Sequence, residues 1–409
     1  MATPASGTFK QLAYKVEATY GTIPAATAPV GQLLRRTSSD LSLNKDTYSS
    51  NEIRVDFQSA DFRHGVRRVA GKISGELSAG TYKDFMAAAL KRDFAAVTAF
   101  ASATITIAAP TLGVYPITAT GVTLLTGGLK VGMVVRLTGA LNAANSAKNL
   151  LVTDITSNTA FSAIVLNGSA LVTEGPIAAC TITPVGKVTY IPTTAGTHTD
   201  RSFSIEHYFA DVSASETFSG CKIDKMAFSL PPTGMATIDF DVMGQNMTPA
   251  GAQYFTGATA VTTTGALAAV NGVVRVAGST VAVLTGLTFE IDPGFTGDPV
   301  VGSNAVPFLF PGKVAVTGQF TAYFDSTTLR DAFLNETEID LVGVLTADNT
   351  ATADFLSVAF PRVKLGSAQK NDGDGGIVAT VSFTALLNSA GGSGIKTEKT
   401  TVQIQDSQA

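Results

Sequence analysis

The chain writes one strand–helix unit twice. Ile73-Ser-Gly-Glu-Leu-Ser-Ala79 and Val316-Thr-Gly-Gln-Phe-Thr-Ala322 agree position by position in shape and polarity. Each run alternates apolar and polar residues as a half-buried strand does. After a spacer four residues longer in the second copy, Thr81-Tyr-Lys-Asp-Phe-Met86 lines up with Thr328-Leu-Arg-Asp-Ala-Phe333. Each helix opens with Thr-x-x-Asp, Thr81 with Asp84 and Thr328 with Asp331. In such a capping arrangement the hydroxyl accepts from an early N–H and the carboxylate sits at the positive end of the helix dipole. Tyr82, Phe85, Met86, Ala89 and Leu90 then fall at i, i+3, i+4, i+7 and i+8, one apolar face. The expectation is an internal duplication, two β-rich units with one short helix apiece.

Flanking segments support two units. KIDKMAFSLPPTGMATIDFDVMG (222–244) reads as a hairpin around Pro231-Pro232-Thr-Gly234, and FLSVAFPRVKLGSAQKNDGDGGIVATVSFTALL (355–387) takes the corresponding place. DLSLNKD (40–46) has its counterpart in LTFEIDP (287–293). Between Thr98 and Ala195 only Asp154 and Glu174 are acidic, and short β-branched runs alternate with turn signals, as in a small all-β module set into a loop. The predicted organisation is an N-terminal arm over 1–32, a discontinuous first unit over 33–97 and 196–265, an inserted β domain over 98–195, and a second unit over 266–409 with a C-terminal extension. At 409 residues the chain is long enough for several cores.

Most functional classes find no foothold. A net charge of −4 argues against a nucleic-acid grip. MATPASGTFKQLAYKVEATYG lacks the charged-then-apolar order of a signal peptide, and no apolar run approaches membrane-spanning length. Cys180 and Cys221 suggest reduced thiols. His64, His198 and His207 show no metal-ligand spacing, and neither a nucleophile elbow nor a P-loop occurs. Asn371-Asp-Gly-Asp-Gly-Gly376 resembles the start of a calcium loop but lacks its later ligands, so a glycine-rich turn is expected. No cofactor is expected, no metal, and no enzyme activity. One charged stretch differs. Arg54, Arg63, His64, Arg67 and Arg68 are interleaved with Phe57 and Phe62, a mixture that suits an interface better than a solvated loop.

KQLAYKVEATYGTIP (10–24) and SDLSLNKDTYSSNEIRVDFQSADFRHGVRRVAGKISGELSAGTYKDFMAAAL (39–90) resemble the tail tube (major tail) proteins of long-tailed, siphovirus-type bacteriophages. The resemblance covers roughly the first hundred residues and reaches the second copy through the repeat. It implies a mainly β protein with two tandem tube domains of sandwich or barrel type, each with one short helix, and a small β domain decorating the exterior. It implies self-assembly into stacked rings, a hollow tube in the virion tail through which phage DNA passes without specific binding, and assembly in the host cytoplasm. Rings of the family are sixfold, so a duplicated chain would form trimeric, pseudo-hexameric rings, with hexameric rings as the alternative. Tape measure, tail terminator and distal tail proteins are the implied partners, with no membrane. The loop bearing Arg54, Phe57, Phe62, Arg63, His64, Arg67 and Arg68 would reach the next ring. Glu76 and Gln319, equivalent in the repeat, would lie on the inner-barrel strands, facing either way. The alternative reading is a carbohydrate-binding or adhesin-like surface protein of tandem β-sandwiches; this chain has no Trp for an aromatic platform.

Overall fold

The computed structural model describes residues 4–280, 284–324, 327–371 and 376–409. As expected, the architecture is mainly β; the described residues form two short α-helices, a closed six-stranded barrel and one large sheet. Eight strands of the large sheet carry the argument. They are β1 (Ser38–Ser39, continued after a break by Ser42–Ser49), β2 (Phe62–Glu76), β3 (Ala214–Leu230), β4 (Thr237–Gly244), β5 (Leu284–Asp292), β6 (Ala315–Tyr323), β7 (Phe355–Leu365) and β8 (Val378–Ala385). Their order across the sheet is β1-β2-β4-β3-β5-β6-β8-β7, every neighbouring pair antiparallel. The first four and the last four follow the same path, and β3 joins β5 in the middle.

The long strands β3 and β7 each serve two layers. The N-terminal half of β3 leaves the wide sheet and is flanked by Phe203–Phe209 and Asn246–Ala250, and that of β7 by Ile339–Thr346 and Gln403–Asp406. Lys10–Val16 then borders Phe203–Phe209, and Gly272–Val276 borders Ile339–Thr346. The segment read as an N-terminal arm therefore holds a paired strand with Leu12, Ala13 and Tyr14 buried. Alternation decides which residues fill the core. Ile73, Ile238, Phe240, Phe228, Ile291, Val316, Phe320 and Phe383 are buried, while their sequence neighbours point to the other face. Phe228 and Phe289 stack across the β3–β5 junction with ring centres 4.5 Å apart.

The glycine at the centre of each repeat has a packing reason. A Cβ on Gly75 would stand 1.8 Å from the Tyr82 hydroxyl. On Gly318 it would stand 2.5 Å from Phe383 Cζ and 2.6 Å from the Thr288 carbonyl oxygen. Both strands thus carry an aromatic ring directly over backbone.

Helices follow at the expected places, α1 (Lys83–Ala89) after β2 and α2 (Thr328–Leu334) after β6. The apolar face of the first is as predicted, with Tyr82, Phe85, Met86, Ala89 and Leu90 all buried. The capping roles are corrected. Tyr82 occupies the N-cap position of α1 and Thr327 that of α2, and neither makes a side-chain cap bond. Thr81 instead exchanges hydrogen bonds with Ser78 and Thr262, because the chain enters α1 from a tight turn that draws the hydroxyl away from the helix N–H groups. Thr328 is the first helical residue of α2, already past the cap position. Asp84 and Asp331 do lie in the first turns; Asp84 accepts from the Tyr14 hydroxyl and Asp331 from Arg330.

Phe100–Ile107, Tyr115–Thr120, Val134–Thr138, Leu150–Ser157, Ala160–Val165 and Glu174–Pro184 close the barrel around a core of their own. It sits on the second half of the large sheet, where Val134 and Leu151 pack with Val342, Val344 and Phe355. Gln405 stitches this contact by accepting from the Val134 N–H (2.7 Å) and donating to the Val134 and Val185 carbonyls (3.0 and 2.6 Å).

Candidate functional site

One row of residues crosses the wide sheet from edge to edge. Ser38 opposes Ser74, Ser74 opposes Asp239, Asp239 opposes Ala227, and Ala227 opposes Glu290. The row continues through Thr317 and Thr384 to Lys364. Its second half repeats its first in strand order, so Ser38 and Glu290 hold equivalent places, as do Ala227 and Lys364. The strand correspondence read between 40–46 and 287–293 names the right strands in the wrong phase, since it sets Leu43 against Glu290 instead of Ser38. A two-residue alternation identifies a strand but carries no long-range register, and an odd slip exchanges its faces.

Glu76 and Gln319 lie on this same face, one row further on. Glu76 opposes Thr237, which opposes Ser229, then Thr288, then Gln319. Four strand spacings separate the two side chains, about 19 Å. Side-chain direction, left open by the sequence, is now defined: both point away from the core that Ile73, Val316 and Phe320 fill.

The face is polar and acidic. Glu76, Asp239, Asp241, Glu290 and Asp292 stand there against Lys72, Lys225 and Lys364, among Ser and Thr. Lys225 meets Glu290 at 2.6 Å, and this bond holds the ammonium above its ordinary pKa. Lys72 lies 3.7 Å from both Asp239 and Asp241. At the rim, burial raises the Asp224 carboxyl, which accepts from the Phe295 N–H at 3.1 Å. The acidic residues other than Glu76 escaped the sequence reading. Their signal was present in TIDFDVMG and LTFEID, where acids alternate with Phe, Ile and Val.

Both lateral edges of the sheet are open. Among the described residues β1 pairs with β2 alone, and no strand covers its outer side. On β7 the pairing with Ile339–Thr346 ends at Val363, so Lys364 and Leu365 have β8 on one side and, among the described residues, no strand on the other. Long open edges invite a further strand, which most soluble proteins prevent.

The charged loop projects between Ser49 and Phe62, with Ile53, Val55 and Phe57 at least 98 % exposed. Arg54 pairs with Asp56 (2.9 Å) and Glu52 (3.8 Å), and Arg63 with Asp61 (2.7 Å). Phe62 is half exposed and meets His64 edge-on. The loop is shorter than the sequence suggests: Phe62, Arg63, His64, Arg67 and Arg68 lie on β2, paired with Ser42–Ser49, and Arg68 is exposed there. Arg67 differs: its N–H donates to the Asn304 carbonyl (2.8 Å) and its guanidinium to Asn246 Oδ1 (3.1 Å), both within the chain. The segment 293–314 in the second half makes that contact and folds back on Tyr20, Val66 and Met243 through Phe295, Val306 and Leu309.

Catalytic or metal chemistry has no assembled site among the described residues. No group of His, Cys, Asp and Glu is placed to hold a metal. His207 is buried with Nε2 2.8 Å from Ser39 Oγ, and burial lowers its pKa to about 3. Both cysteines are buried and free. The glycine-rich turn after Asn371 lies largely outside the described residues. A cleft of about 810 Å³ separates the barrel from the second half-sheet, lined by ion-paired groups such as Arg362 with Glu338 and Lys396 with Asp154.

No curated protein matches the sequence. A family model described as phage tail tube protein matches residues 10–385, nearly the whole chain. With that match added to a doubled half-sheet and its open edges, the chain belongs to the phage tail tube protein family.

Proposed function

We propose that this structural tail protein closes rings by joining the wide sheets of several copies, and that the stacked rings form the conduit for phage DNA. The carrying observation is the eight-strand sheet, which repeats after four strands and ends in two unpaired edges. Lateral pairing of the β7 edge of one copy with the β1 edge of the next makes a ring when the rotation closes, whereas axial stacking does not close and grows into a tube. The division into two tandem tube domains (33–97 with 196–265, and 266–409) and an external insert (98–195) belongs to this reading, with the strand Lys10–Val16 joined to the first.

Three chains would supply twenty-four strands, as six single-domain subunits would. At about 4.8 Å per strand the circumference is about 115 Å and the backbone diameter about 37 Å. Side chains of about 5 Å on each wall leave about 27 Å, and strand tilt widens it further. The acidic face turned inward would repel phosphate, so DNA would slide without a salt-dependent hold. The β1–β2 hairpin, with Phe57 on its loop and Phe62, Arg63 and Arg68 on β2, would meet the next ring, while Arg67 acts within its own chain. Tape measure, terminator and distal tail proteins would bind the tube ends, and assembly would occur in the host cytoplasm.

Electron microscopy of the purified protein tests the reading. Hollow tubes with three chains per ring are expected. Monomers that stay monodisperse would favour the tandem-sandwich surface protein, and rings of six chains would overturn the pseudo-hexamer.

A further inference from the structure

We infer that the β3–β5 junction inside each chain sets the register of the junction between chains, so that Lys364 of one copy lies opposite Ser38 of the next. This rests on the tube reading and adds to it a residue-level seam. The row across the sheet carries the argument. Ala227 and Lys364 are equivalent, each opposing the residue (Asp239 or Thr384) that opposes the repeat strand at Ser74 or Thr317. Within the chain Ala227 opposes Glu290, and Glu290 opposes Thr317. In the first half the residue opposing Ser74 is Ser38. Continuing the row past Lys364 therefore reaches Ser38 of a neighbouring copy.

Backbone direction agrees on the β7 side. On β7 the Arg362 carbonyl accepts from the Leu386 N–H and the Gly366 N–H donates to the Ser382 carbonyl, both at 2.8 Å and both toward β8. Alternation turns the Leu365 N–H and C=O to the open side, as Phe228 turns toward β5. At the other edge the Asp40 and Thr37 N–H groups donate inward, to the Lys72 and Ser74 carbonyls, and the Ser39 carbonyl accepts from Lys10 Nζ. Pairing Thr37 with Leu365 therefore requires the Thr37 N–H to exchange the Ser74 carbonyl for that of Leu365. The occupant is a second copy because the strand that covers the equivalent edge of β3 is the equivalent of β1. Leu365 then replaces Phe228 and Thr37 replaces Phe289, so the seam between chains lacks the stacked rings that strengthen the one within.

Paired cysteines read the register. In a pair of this kind, opposed across the ladder without exchanging hydrogen bonds, Cα atoms lie about 4.5 Å apart, inside the range a disulfide spans. Lys364 makes only a half-exposed pair with Glu336, and Ser38 is exposed, so Lys364→Cys with Ser38→Cys leaves the fold intact. Oxidised after assembly, the double variant should convert most chains to covalently closed rings, while either single variant should not. Ala227→Cys with Glu290→Cys is the internal control and should form its bond without joining chains. Tubes that form but do not cross-link, or that cross-link better through Lys364→Cys with Arg36→Cys, overturn the register and leave the tube reading standing. Should the double variant fail to assemble, electron cryomicroscopy of the unsubstituted tube reads the same register, and any partner for Lys364 other than Ser38 overturns it. Failure of the unsubstituted protein to assemble overturns both.

Discussion

Replacing Gly318 by alanine tests whether the repeated glycine is there for packing. The new methyl carbon would lie 2.6 Å from the Thr288 carbonyl oxygen, 2.8 Å from Phe289 Cβ and 2.5 Å from Phe383 Cζ. The ring can tilt, but the oxygen and Cβ belong to the neighbouring strand and move only if β5 and β6 separate. Overpacking of this kind costs about 1–3 kcal/mol. Against it stands a gain of about 0.4–1 kcal/mol from the reduced freedom of the unfolded chain. A net loss of about 1–2 kcal/mol is expected, or about 2–8 °C in Tm at roughly 2–4 °C per kcal/mol. Gly343 is the control, since its nearest atom is Leu287 Cδ2 at 3.6 Å, an ordinary contact. Gly343→Ala should therefore be neutral or slightly stabilising. Circular dichroism melts of the unassembled protein give both values. An unchanged Tm for Gly318→Ala, or equal losses at the two sites, would refute the packing argument.

Reversing Arg63 and Arg68 to Glu together with Phe57→Ser should leave the melt within about 0.5 kcal/mol of the parent, since these groups are exposed. Tubes seen by microscopy should shorten to rings, and normal tubes would remove the loop from the stacking contact. Glu290→Lys with Asp239→Lys should make tubes retain duplex DNA at low salt and release it as salt rises, while parent tubes retain none in a pull-down. His207, held neutral with a pKa of about 3, binds its proton more weakly folded than unfolded. Its contribution is therefore present above about pH 6.5 and is lost on acidification toward 3, and His207→Gln should flatten that slope in urea titrations. Asp406 has the opposite sign: burial raises its pKa to about 6, so it favours the fold increasingly as pH falls from 6 to 4. Asp406→Asn should remove that trend while Gly80 keeps an acceptor.

Much of the molecule was readable from local chemistry. The two strand–helix units, the hairpin at Pro231-Pro232, the buried face of α1 and the all-β segment around Asp154 follow from periods of two and of 3.6 residues and from turn residues. Capping was misread because Thr81 has a second use: its hydroxyl serves a turn fixed by Ser78 and Thr262, and Thr262 is far away in sequence. Arg67 was grouped with its exposed neighbours because nothing local announces Asn304 and Asn246.

By itself the sequence determined which segments form strands, which face of each is apolar, and that one unit occurs twice, because these depend on residues a few positions apart. Only the tertiary structure decided that the two units share a single sheet, that Glu76 and Gln319 look the same way with Asp239 and Glu290 between them, and that the borders at Ser38 and Lys364 stay open. Register between distant strands is set by packing such as Phe228 on Phe289, and alternation alone is satisfied equally well by every shift of two residues.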